Sequence, residues 1–111
     1  MDRTEHYRLI VQRLIEEYAR YKPSHGQIET EAIMDRHKDH YEVMHVGWDK
    51  LRRVHGSVVH IDIIDGKVWI QYNGTTQPVA EELVAAGIPR EDIVLGFQPV
   101  RVRQHTGFAQ G

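Results

Sequence analysis

The sequence predicts an α+β protein in which an N-terminal helix packs on an antiparallel four-stranded meander, followed by a short C-terminal helix and an extended tail. Three observations carry this expectation. Apolar residues recur at helical spacing from Tyr7 to Tyr21. An Asp65-Gly66 pair separates two runs of β-branched and aromatic residues, the pattern of a two-residue type I′ hairpin turn. After Gly74, Pro78 opens a second, shorter apolar-periodic stretch that Gly87 closes.

Asp2 or Thr4 offers an N-cap for the first helix, and Pro23 ends it near Tyr21. Tyr7, Ile10, Val11, Leu14, Ile15, Tyr18 and Tyr21 form its apolar stripe, with Arg8, Gln12, Arg13, Glu16, Glu17 and Arg20 outside it. Tyrosines on such a stripe are expected as core or partner contacts rather than as a site. Ile28 to Arg36 and Tyr41 to Trp48 read as the first two strands, joined by the polar run Arg36 to His40. Glu29, Glu31 and Asp35 share a face of the first strand, which suits a sheet edge. The second is apolar on both faces and suits a central place.

A charged turn, Asp49 to Arg53, leads into the hairpin from Val54 to Gly74. Counting outward from the Asp65-Gly66 turn sets Ile63 opposite Val68, Ile61 opposite Ile70 and Val59 opposite Tyr72, all apolar. The other face carries Val58, His60, Asp62, Ile64, Lys67, Trp69 and Gln71, with Asp62 across from Trp69 and His60 across from Gln71. Gly74-Thr75-Thr76 is expected to supply a turn and a helix cap. Asp92 to Phe97 reads as a buried extended or turn segment. In the tail, Gln98 to Gly111, the alternation of Val100 and Val102 with Arg101 and Arg103 predicts extended chain.

At 111 residues the chain fits one domain, 1–111. Charges interrupt the apolar residues of the N-terminus, so neither a signal peptide nor a membrane span is expected, and a cytoplasmic address follows by default. The absence of cysteine excludes disulfides, zinc ribbons, iron–sulfur clusters and thiol nucleophiles. A net charge of −2 provides no global attraction for nucleic acid.

The eight histidines offer only local pairs as metal ligands. His60 and Asp62 share one strand face and would supply two ligands; a third would have to come from a neighbouring strand. No metal, cofactor or catalytic residue is therefore expected, and neither a hydrolase triad nor a phosphate-binding glycine loop is present. Lys50, Arg52 and Arg53 form one basic group and Arg101 and Arg103 a second, as phosphate or partner contacts or as plain solvated surface. Trp69, beside Asp62, is either an interface anchor or a residue covered within the monomer by a helix or the tail.

The segments Asp39-His40-Tyr41, Val46-Gly47-Trp48, Arg53-Val54-His55-Gly56, His60 to Gly74, Glu82-Leu83-Val84 and Gly87 to Phe97 together resemble the XisI family, the cyanobacterial fdxN element excision controlling factors. The likeness runs from Tyr7 to Phe108, with two departures: Thr76 and Ile64 stand where the family often carries charge. The resemblance implies a part in programmed excision of a DNA element during heterocyst differentiation, with strand exchange left to a separate recombinase. It also implies a companion, an XisH-like protein of nuclease-like character, for which this chain would be a non-enzymatic binding or controlling subunit. The expected contact face is Trp69, Asp62, His60 and Ile64, with Trp48 and Arg101 to Arg103 at its margin. Self-association through that face, a DNA-binding accessory role for the basic groups, and a metal-dependent nuclease built on His60 and Asp62 stand as alternatives.

Overall fold

Helix α1, Arg3–Ala19, begins where the Asp2 side chain accepts a hydrogen bond from the Glu5 amide at 2.8 Å, so Asp2 and not Thr4 is the cap. The computed structural model describes residues 2–111. Five strands follow one another in space as in sequence: β1 Gln27–Asp35, β2 His40–Asp49, β3 Arg52–Ile64, β4 Lys67–Asn73 and β5 Ile93–Leu95. Helix α2, Val79–Ala86, connects β4 to β5, and a one-turn helix α3, Val100–Arg103, lies in the tail.

The first four strands form the expected antiparallel meander, with β1 at the edge and β2 inside. The four-strand expectation is corrected by β5, which pairs parallel to β4. A strand of three residues is too short to show a period of two, and its crossover through α2 leaves no turn signature. The extended tail is corrected as well. Pro99, with φ fixed near −59°, starts the single turn of α3, so Arg101 and Arg103 belong to a helix. Beyond it Ala109 bridges to Val94, its amide bonding to Ile93 O at 2.8 Å, and this covers the outer edge of β5.

Asp65 and Gly66 have φ of 51° and 78°, as a type I′ turn requires, and the register from Ile64–Lys67 to Ile61–Ile70 is the expected one. It then slips: His60 pairs with Tyr72 and Val59 with Asn73, because Gln71 is an extra residue. The pairs Val59–Tyr72 and His60–Gln71 are therefore wrong. A second slip lies between β2 and β3, where Val43 pairs with Val59 but Met44 with Ser57. Val58 is the extra residue there, and it packs against the core instead of sharing the face of His60.

The core lies between α1, α2 and one face of the sheet. Tyr7, Ile10, Val11, Leu14 and Ile15 of α1 meet Tyr41, Val43, Val59, Ile61, Ile63, Val68 and Ile70, and Val79 and Leu83 of α2 join them. The stripe frays at its end: Tyr18 is half-buried and Tyr21 is 68% exposed. Gly47 is required by proximity, since a Cβ there would collide with the backbone of Gln27 and Ile28. The Gly74–Thr76 segment turns as expected but does not cap α2, whose N-cap is Pro78 without a side-chain bond. Asn73 organises the turn instead, accepting from the Thr75 amide at 2.9 Å and donating to Gln77 O at 2.9 Å.

Candidate functional site

Both long helices lie on one side of the sheet, so the opposite side depends on the tail for cover. That cover reaches only β4 and β5. Arg103 places its guanidinium 5.1 Å from the centre of the Trp69 ring and donates to Gln98 O and Gly96 O. Lys67 Nζ bonds Gly111 O, and Val94, the cross-strand partner of Trp69, is fully buried although it lies outside the main core. Of the two sequence alternatives for Trp69, the tail cover is the one found.

Over β1, β2 and β3 no helix or tail segment among the described residues covers the outer face. Alternation from the buried Tyr41 and Val43 puts His40, Glu42, Met44, Val46 and Trp48 on it. Pairing adds Glu29, Glu31 and Ile33 from β1, and Arg53, His55, His60 and Asp62 from β3. Ile33, Trp48 and Tyr72 are each about half exposed, at 48%, 51% and 48%, and Ile64 is exposed as well.

At the end of this face beside the β1–β2 turn, His40 of β2 and His60 and Asp62 of β3 converge. His40 Nδ1 and His60 Nε2 each lie 2.8 Å from Oδ1 of Asp62, and Gln71 donates to Oδ2 at 3.2 Å. Asp62 is only 7% exposed, while His40 opens to solvent. Glu42 stands 3.9 Å from His60 Nδ1. The hydrogen bond and the charge of Asp62 hold His40 above the usual imidazole value. Sequence reasoning had His60 and Asp62 but missed His40. Even pairing outward from Asp49 and Arg52 sets His40 against Ile61, on the core side; the bulge at Val58 moves it to Asp62.

The two basic groups are separated. Arg53 stands nine positions along β3 from Asp62, about 30 Å at the strand rise, and Trp69 and Arg103 sit beside Asp62. Arg52 pairs with Asp49 at 3.6 Å, and Arg53 stacks on Trp48 at 5.3 Å. Lys50 and Arg101 are exposed. No helix among the described residues is long and apolar enough to cross a membrane. On the helix side, an open groove of about 660 Å³ runs between Tyr18, Tyr21, His45, Val58 and Thr75.

These features define the class as a helix-backed mixed sheet with one uncovered, partly apolar face. A family model described as XisI protein matches residues 1–110, and this chain belongs to the XisI family. Among solved structures it is similar to a XisI-like protein from Anabaena variabilis ATCC 29413, at 43% identity and a TM-score of 0.90, covering 96% of this chain and 97% of that one. It is also similar to the fdxN element excision controlling factor XisI from Anabaena variabilis ATCC 29413, at 32% identity and a TM-score of 0.86, covering 99% of this chain and 100% of that one. A search of curated proteins gave no match.

Proposed function

We propose that this chain is a controlling factor for excision of a DNA element, acting as a non-catalytic subunit that docks its open sheet face on an XisH-like protein. The observation that carries the reading is the uncovered face of β1 to β3, where Ile33 and Trp48 stand half exposed among charged and histidine side chains. Exposed aromatic and aliphatic side chains set among polar ones are a composition common in protein interfaces. The similarity to a XisI named as an excision controlling factor supplies the process. Relative to the sequence expectation, the contact set shifts from Trp69, which the tail engages, toward Trp48, Ile33, His60, Asp62 and Ile64.

Coexpression with the XisH-like protein of the same genome, followed by size-exclusion chromatography with light scattering, tests this. A stoichiometric complex lost in Ile33→Asp or Trp48→Asp supports the reading. A self-contained species with no complex overturns it. Direct DNA binding through Lys50, Arg52, Arg53, Arg101 and Arg103 would instead give a retarded DNA band whose affinity falls steeply with salt. We rank that reading second, because these groups are about 30 Å apart and Arg103 engages Trp69.

A further inference from the structure

We propose that His40, His60 and Asp62 form a binding site for a divalent transition-metal ion of the imidazole-preferring kind, with zinc as the reference ion. The inference is independent of the docking partner and rests on four features of the site.

The first is convergence. Two imidazoles and a carboxylate, from adjacent strands, each bring one ligand atom within 4.8 Å of the others. Ligands bound to zinc at about 2.0–2.1 Å in tetrahedral geometry sit about 3.3 Å apart. The two His-to-Asp distances of 2.8 Å are slightly inside that separation. Rotation of the two rings, which must also close the imidazole-to-imidazole separation of up to 4.8 Å, brings all three ligand atoms onto one ion.

The second is that both imidazoles address the same oxygen. Oδ1, with two lone pairs, faces both rings, and Oδ2 is held by Gln71. Gln71 thereby fixes the carboxylate plane and leaves Oδ1 pointing between the rings. Gln71 reaches this place because it is the extra residue of the β4 bulge.

The third is the outer support. A ligating histidine ordinarily directs its other nitrogen to a carboxylate or carbonyl, which sets the tautomer and raises basicity. Glu42 Oε2 stands 3.9 Å from His60 Nδ1, just outside hydrogen-bond reach, and takes this role when its side chain closes on the ring. The fourth is access. Asp62 is buried at the base, whereas the His40 side chain is 57% exposed, so an ion enters from the bare face and keeps coordination positions for water or an incoming ligand. Two histidines and one carboxylate with positions left open are a donor set suited to zinc, iron, cobalt or nickel, and unlike the all-oxygen sets of calcium and magnesium.

Calorimetric titration of the chelator-treated full chain with zinc chloride tests the site, paired with the visible absorption of the cobalt-loaded protein. The expected result is one equivalent of tightly bound zinc, a cobalt spectrum of low coordination number, and loss of both in His40→Gln and in His60→Gln. His40 is exposed and outside the core, so His40→Gln keeps its fold and decides the matter even if Asp62→Asn does not. Gln71→Leu weakens binding by about 10- to 100-fold as an outer-support variant. His37→Gln and His55→Gln leave it unchanged. The proposal is overturned by stoichiometric binding that survives His40→Gln, by binding that follows His37 or His55, or by no stoichiometric binding at all.

Discussion

Arg103 holds its guanidinium over the ring of Trp69, 5.1 Å from its centre, and the pair clasps the C-terminal tail to the outside of β4. Arg103 also donates to the carbonyls of Gln98 and Gly96, so one side chain joins α3, the β5 exit and the indole. Arg103→Ala is expected to cost about 1–2 kcal/mol. The Ala109 amide, bonded to Ile93 O, should then exchange with deuterium markedly faster while core amides of β3 keep their protection. Unchanged exchange at Ala109 would show that the tail is held by other contacts.

Asp39 ties the β1–β2 turn to the first helix. Its carboxylate accepts Arg8 Nε at 2.8 Å and Nη2 at 3.0 Å, and the Tyr41 hydroxyl at 2.8 Å. Burial pushes the group up, but the Arg8 and Tyr41 hydrogen bonds outweigh it and leave it below its ordinary value of 3.8. A depressed folded value means stability that is complete above the unfolded value and is lost as pH falls through the folded one. Urea midpoints should therefore fall below about pH 4, and Asp39→Asn should flatten that acid limb. At neutral pH the same variant should be about 2 kcal/mol less stable.

Tyr7 is buried and donates its hydroxyl to Asp92, which also receives the exposed Arg3 at 3.5 Å. Burial, followed by the Asp92 hydrogen bond, pushes Tyr7 up to about 12. Tyr7→Phe leaves a buried carboxylate short of its donor and should cost about 1–3 kcal/mol. Asp92→Leu in the Tyr7→Phe background removes the orphaned group, so the double variant should lose less than the sum of the single losses. Strict additivity would disprove the coupling.

Ile33 and Trp48 contribute nothing to the main core, so Ile33→Ser and Trp48→Ser should each change stability by no more than about 0.5 kcal/mol. Each should nevertheless weaken capture of the proposed partner at least tenfold, a loss of about 1.4 kcal/mol. A thermal melt beside a binding isotherm separates these effects.

The sequence made the first helix and the central hairpin legible because each repeats a local rule many times. The stripe from Tyr7 to Ile15 and the Asp65-Gly66 turn left little freedom. What stayed hidden depended on single residues. Gln71 and Val58 are ordinary strand residues in composition, yet each is the extra residue of a bulge, and every pairing beyond them shifts by one. The union of His40 with His60 and Asp62 depends on such a shift, so no spacing rule within one strand exposes it. Val100 to Arg103 alternates like a strand over four residues, and only Pro99 argues for a helical turn.

The two margins of the sheet are unlike. At β5 the bridge to Ala109 occupies the backbone groups that another strand would use. At β1 they remain available, beside a row of carboxylates from Glu29, Glu31 and Asp35. Polymerisation of the kind that joins sheets end over end needs two receptive margins, and this molecule has one. Dimerisation through β1 would bring two acidic rows together, where like charges repel. A strand from another protein that extends the sheet here must therefore bring lysine or arginine to meet them.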